Sequence, residues 1–336
     1  MNRREASTGL LLLLWMFVGS CEVFGQAPPT ILTIDLANHV EYYEDVPITS
    51  YATNPALTTQ STGNGKNFFT IVIIADIVSI NGQPAKGIYI SRNRVVSASP
   101  TPAPGTGIGD TPVTAFRDDI FKILQADGTP LGSITASGLS GGVPSPGGPL
   151  SQTGGDWAIT GGTGAFLGVR GEMGGTGVQK GGRPASMAED PANRRSLGGG
   201  TFEFVLYLIP TSSPQILTSA DGPAVVHSSD FSLVTPTKPA SPGELLSLFA
   251  TGLGPVRGAV GPGQPFPAVP PATVNSPVQI TVNGEPAAVT AAVGYPGSTN
   301  GYQLNFQLPS DTAKGAAAIV LSAAWFAAQP IAITVQ

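Results

Sequence analysis

Two hydrophobic patterns run along this chain of 336 residues. Residues 10–18 form one unbroken apolar run behind Arg3 and Arg4, whereas everything downstream comes as short apolar, β-branched bursts separated by glycine and proline. Bursts of that kind read as strands joined by turns. Beyond the first run no stretch sustains the three-and-four spacing of an amphipathic helix, so helices are expected to be short or absent.

In the first half the pattern predicts about eight strands: Thr33 to Glu44, Phe68 to Ser79, Gly87 to Ala98, Thr111 to Leu124, Thr129 to Ser137, Asp156 to Thr160, Gly164 to Met173 and Thr201 to Leu208. Within the second of these, Phe68, Val72 and Ile74 share one face while Phe69, Ile71 and Ile73 share the other. Both faces are apolar and each needs cover. A small closed barrel meets that need if its outside packs on a partner subunit or a second domain. Segments Ser99 to Gly109, Gly138 to Gly155 and Gly174 to Gly200 read as long loops, the last a locally basic, mobile flap carrying Lys180, Arg183, Arg194 and Arg195.

The second half has shorter strands at sandwich-like spacing: Glu244 to Thr251, Val278 to Val282, Ala287 to Ala292, Tyr302 to Leu308, Ala316 to Ala323 and Ile331 to Val335. Asn283-Gly284 supplies a hairpin turn, because both residues tolerate positive φ. The expected organisation is a signal peptide over 1–25, a barrel domain over 26–210, a linker over 211–222 and an immunoglobulin-like sandwich over 223–336. The fold class is therefore all-β, an eight-stranded antiparallel barrel followed by a β-sandwich.

The apolar run at 10–18 is too short to span a bilayer and is flanked as a signal peptide is. Two cleavage readings stand: a signal-peptidase site at Val23-Phe24-Gly25, or a lipobox-like Val18-Gly19-Ser20-Cys21 in which Cys21 is lipidated. The first is preferred because a lipobox opens with leucine. Either way the protein is expected outside the cytoplasm, with no transmembrane segment once the signal is removed.

Cys21 is the single cysteine, so cleavage after Gly25 removes disulfide, zinc-thiolate and thiol chemistry together. The remainder, about 310 residues, fits two domains. With a net charge of −5, no basic surface for nucleic acid is expected. Charged residues are only 11%, while Gly 44 and Pro 32 supply the turns that many short strands require.

Several motifs fall short of the chemistry their spelling suggests. Histidine occurs twice, as His39 and His227 in different halves, so a structural or surface role is expected for each and no metal site is read. Gly138-Leu139-Ser140-Gly141-Gly142 spells a nucleophile elbow without the helix that must follow it. Gly161-Gly162-Thr163-Gly164 lacks a Lys-Ser/Thr pair and reads as a tight turn, and Lys66 lacks a Walker loop. Acids on apolar strands carry more weight, since a carboxylate facing a barrel interior is costly unless paired or used. Asp76, Glu44 and Asp45 end such strands, and Arg170 is a cation placed to pair with one of them.

The segments Phe69 to Asp76, Ala85 to Ile90, Ile159 to Phe166 continuing to Val169-Arg170-Gly171, and Glu203 to Tyr207 resemble, in order, four segments of dirigent-like and allene oxide cyclase-like proteins. That resemblance covers about residues 31–210. It implies an eight-stranded antiparallel barrel, often trimeric through its exterior, whose apolar lumen binds a small organic molecule and uses no cofactor. Tyr42-Tyr43-Glu44-Asp45 resembles the family's aromatic-x-His-Asp strand with Glu44 in the histidine position, Asp76 its acidic strand end, and Arg170 its arginine before glycine. Tyr89 lies on the second matching segment. The resemblance thus nominates Asp45, Asp76, Tyr89, Arg170 and Glu44 as ligand-binding residues.

Residues from about 220 to 336 resemble the uncharacterised C-terminal domain of acidobacterial (Solibacter-type) secreted proteins, related in appearance to TIG domains. The carrying residues are Leu248 to Pro255, Val278 to Gly284 and Tyr302 to Pro309. The function implied is an exported barrel that binds a small apolar organic molecule and orients it for stereoselective coupling or cyclisation. The activity would be isomerase-like or a non-oxidising dirigent-type auxiliary role. The rival reading is a non-catalytic structural or adhesive cell-surface protein whose sandwich mediates contacts.

Overall fold

The computed structural model describes residues 30–44, 68–97, 113–139, 156–211, 213–258, 260–261 and 263–336. The signal segment with Cys21, the Ser99 to Gly109 loop, Lys66, Ser140 and Asp45 lie outside them.

Eight strands close into an antiparallel barrel: β1 (Thr30–Tyr43), β2 (Phe68–Ile80), β3 (Gln83–Ser97), β4 (Val113–Leu124), β5 (Pro130–Leu139), β6 (Asp156–Gly164), β7 (Arg170–Lys180) and, after an intervening segment, β9 (Gly200–Ile209), which pairs with β1. Strict alternation sends Leu32, Ile34, Ala75, Ile77, Tyr89, Phe121, Ile134, Phe204 and Leu206 into one buried cluster. Most of these strands overlap the expected spans with ends shifted by a few residues, but the one expected over Gly164 to Met173 runs instead over Arg170–Lys180, because residues 165–168 form a turn. Asn81 and Gly82, at φ 51° and 73°, form a tight turn that carries β2 and β3 further toward each other than expected.

The glycines of the Gly161 to Gly164 run serve close approach. A Cβ on Gly162 would lie 2.4 Å from the Phe166 carbonyl oxygen, and Gly164 has φ +64° with a Cβ position 2.5 Å from the Leu131 carbonyl oxygen. The run was expected to be a tight turn, but it forms the last four residues of β6, and the turn toward β7 follows it at 165–168, because these glycines let the strand lie close against the backbone of β5 and the turn.

The flap expected over Gly174 to Gly200 is not a loop. β7 continues to Lys180, β8 (Arg183–Ser186) pairs parallel with the end of β1, and a single helical turn, α1 (Asn193–Ser196), follows. This strap folds against the barrel's outer wall, where Ala185 joins Val40, Tyr42, Val72 and Ile74. The outward apolar face of β2 is therefore covered there by the chain itself, where a partner subunit or the second domain was expected. Arg183 anchors the strap with two bonds to Glu189, at 3.1 and 2.6 Å, and one to the Gly198 carbonyl at 2.8 Å.

The second half forms its own core from Leu246, Leu248, Ile280, Leu304, Phe306, Ile319 and Leu321. Its longer strands are β11 (Leu245–Thr251), β12 (Val278–Val282), β13 (Glu285–Gly294), β14 (Gly301–Gln307), β15 (Gly315–Ala323) and β16 (Ile331–Val335). The start of β13 pairs with β12 and the remainder with β14, so β13 links the two groups of strands. Asn283 and Gly284 hold the expected turn at φ 52° and 90°. Residues 211–222, expected as a linker, include β10 (Gln215–Ile216), which pairs with β11.

The two halves meet at the base of the barrel. Phe166 stacks on Trp325 at 6.3 Å and 8°, and Phe326 joins the barrel's own buried cluster. Arg257 reaches across to Gln125 at 3.0 Å and Asp127 at 3.1 Å.

Candidate functional site in the barrel lumen

A β-bulge decides which residues face the lumen at one end. The pairing of β1 slips between Leu36 and His39 against β9 and between Ala37 and Val40 against β2, with Asn38 at φ 53°. A bulge inserts one residue and reverses the alternation beyond it. Before it, Leu32, Ile34 and Leu36 face inward; after it, Val40 and Tyr42 pack outside, and His39, Glu41 and Tyr43 turn in.

Across the lumen, β3 and β4 place Ser91 opposite Asp119 and Asn93 opposite Arg117. The Tyr89 hydroxyl donates to Asp119 Oδ1 at 2.5 Å and accepts from the Arg117 guanidinium. Arg117 also donates to Ser91 Oγ at 3.3 Å and lies 3.3 Å from Asp119 Oδ1, with its guanidinium carbon 4.6 Å from the Trp157 ring centre. Asp119 is 1% exposed, so the charge pair is desolvated and stands only because each member is bonded.

Burial pushes the Tyr89 phenol well above its ordinary range, against the opposing pull of Arg117, so it remains a protonated donor. His39 is held down to about 4, first by burial and then by the positive charge of Arg117. Its imidazole is neutral at pH 7, with one ring nitrogen a donor and the other an acceptor. Phe202 lies 5.8 Å from the His39 ring and 4.7 Å from Phe204, which joins Tyr89 and Trp157 in a shared aromatic wall.

Three buried polar atoms here have no hydrogen-bond partner among the described residues: His39 Nδ1, Asp119 Oδ2 and Trp157 Nε1. Buried polar atoms are almost always bonded. One carboxylate acceptor, one indole donor and one imidazole nitrogen thus stand without a partner in the cradle of buried residues around the Arg117 guanidinium.

The residues nominated from the sequence are dispersed. Tyr89 is at the centre of the cradle. Asp76 lies on the outer wall beneath the strap, bonded to Asn38 at 3.0 Å, Arg194 at 2.6 Å and Arg195 at 2.9 Å. Burial alone would raise its pKa, but these hydrogen bonds hold it well below the carboxylate range. Arg170 is exposed and donates to the Val169 carbonyl at 3.0 Å, away from the lumen. Glu44 is exposed past the end of β1 and accepts from the Thr70 amide at 3.0 Å.

Arg117, Asp119, Trp157 and Glu41 were not nominated, and His39 was expected at the surface or in a structural role. The available signal was the alternation Ala115, Arg117, Asp119, Phe121, which places both charges on the face of a buried phenylalanine. His227, in the second half, is bonded through Nδ1 to Glu244 at 2.5 Å and through Nε2 to the Lys238 carbonyl at 3.3 Å, a structural clasp.

Among the described residues no cluster of His, Cys, Asp and Glu could hold a metal ion, and no helix is long and apolar enough to cross a membrane. No protein-family model matches the chain, and no curated protein matches it.

Proposed function

We propose that the barrel binds a small, mainly apolar organic molecule in its lumen and orients it through one hydrogen-bonding group set in the Arg117 cradle. The three partnerless atoms carry this reading. A hydroxyl of the ligand can donate to Asp119 Oδ2 and accept from the Trp157 indole N–H, satisfying both at once. Arg117 is already compensated by Asp119, with Glu41 adding negative charge nearby, so a neutral group suits the site better than a carboxylate.

Orientation of this kind is what coupling or cyclisation of a reactive ligand requires, since positioning alone lowers such barriers without a strong nucleophile. The resemblance to dirigent-like and allene oxide cyclase-like barrels supports that finer reading, as does the closed eight-stranded architecture. The apolar run at 10–18 behind Arg3 and Arg4, read as an export signal, supports an activity outside the cytoplasm, and the second half, with its two linked groups of strands, is read as the immunoglobulin-like module of an exported protein.

Calorimetric titration with a panel of neutral aromatic and alicyclic alcohols, each beside its parent hydrocarbon, tests the binding reading. Alcohols are expected to bind more tightly than their hydrocarbons, and Asp119→Asn to erase the difference. Equal or absent binding across the panel would leave the structural or adhesive reading in its place.

A further inference from the structure

The carboxylate of Asp76 joins two elements that both border the lumen site without touching the site itself. It lies opposite Ala37, one residue from the bulge, and Asn38 of the bulge donates to its Oδ2 at 3.0 Å. From the strap, Arg194 donates to Oδ1 at 2.6 Å, and Arg195 to Oδ2 and Oδ1 at 2.9 Å each. Asp76 and Arg194 are buried, so removing the Asp76 charge strands Arg194, whereas loss of Arg194 would leave Asp76 paired with Arg195.

The strap begins and ends against His39. A Cβ on Gly182 would lie 2.9 Å from both His39 Nδ1 and Glu41 Oε1, and one on Gly199 would lie 2.7 Å from the His39 amide nitrogen. Glycine at 182 thus leaves room beside the partnerless imidazole nitrogen and makes the strap a wall of the cradle. The bulge aims His39 inward, and the strap shields it from water.

We propose that Asp76 is a positioning residue for the lumen site, tying the strap of residues 181–199 to the Asn38 bulge and thereby fixing His39 and the Gly182 wall beside it. The proposal rests on the lumen being the binding site. Asp76 acts through Asn38 and Arg194, and it needs no contact with a ligand.

The two histidines make the test specific. NMR titration of the imidazole nitrogens follows His39, which faces Arg117, Glu41 and Phe202, while His227 reports on the distant second core. In the wild type His39 is expected to stay neutral down to about pH 4. In Asp76→Asn the loosened strap admits water, and the His39 midpoint should rise by about one unit or more toward the free value, with His227 unchanged. Arg195→Gln, at a side chain 66% exposed, should fold and give a smaller rise in the same direction, which keeps the test decisive if Asp76→Asn does not fold.

A folded variant in which His39 titrates as in the wild type would overturn the proposal, as would equal shifts of both histidines. Absence of ligand binding in the wild type would count against the binding reading alone, because this titration uses no ligand.

Discussion

The Tyr89 hydroxyl donates to Asp119 Oδ1 at 2.5 Å, while Oδ2 of the same carboxylate is buried with no partner among the described residues. One oxygen is committed to the fold and the other is left without a partner. Arg117 makes this arrangement tolerable by compensating the charge at the same Oδ1, 3.3 Å away.

Loss of the carboxylate should be costly. Asp119→Ala strands Arg117 in a desolvated site, and a stability loss of about 3–5 kcal/mol is expected from urea unfolding. A loss under about 1 kcal/mol would mean that water already reaches the guanidinium.

Tyr89→Phe keeps the ring among Phe121 and Phe204, at 4.9 and 5.1 Å, and deletes only the bridging hydroxyl. Both former partners are left short of a bond, which should cost about 1–3 kcal/mol with the fold retained. Unfolding curves together with unchanged far-UV circular dichroism would check this.

Acid should weaken the protein before the carboxylates titrate. His39 binds its proton at about 4 in the fold and 6.5 when unfolded. Between those values the unfolded chain holds more protons, so stability rises with pH across the window and falls as pH drops through it. The loss is roughly 3 kcal/mol from pH 7 to pH 4, and His39→Phe should flatten that slope when unfolding is measured across the same range. Asp76, with its pKa lowered in the fold, adds a further loss below the unfolded carboxylate value of 3.8.

At the junction, Trp325 and Phe326 should matter more than Arg257. Phe326→Ala removes a ring from the barrel's own buried cluster and is expected to cost about 3–5 kcal/mol. Arg257→Ala, at a side chain 44% exposed, should cost under about 1 kcal/mol despite its two bonds across the junction. Thermal melts of the two variants would order them.

The eight barrel strands were legible because alternation and glycine-proline punctuation agree along most of the first half. The lumen site was not, for two physical reasons. On β4 both faces carry large apolar side chains: Phe116 and Ile120 are 60% and 45% exposed while Arg117 and Asp119 share the inward face with buried Phe121 and Ile123, so hydrophobicity alone does not choose the face. On β1 a bulge at Asn38 reverses the alternation, and only the tolerance of asparagine for positive φ hinted at it. The strap was missed because glycine-rich composition reads as loop, whereas Gly182 and Gly199 are needed for close approach to His39. Asp76 was read as a candidate ligand-binding acid, but it shares the face of Val72 and Ile74, and that face is the outer one.

The most direct test of the lumen site is the Trp157 indole N–H signal in a nitrogen-15 NMR spectrum as 2-naphthol is added, with naphthalene as the matched control. The account predicts that 2-naphthol moves the Trp157 signal downfield through a new hydrogen bond, that naphthalene does not, and that Asp119→Asn weakens the response while Trp325 stays put. A Trp157 signal unmoved by saturating 2-naphthol, or moved equally by naphthalene, would contradict it.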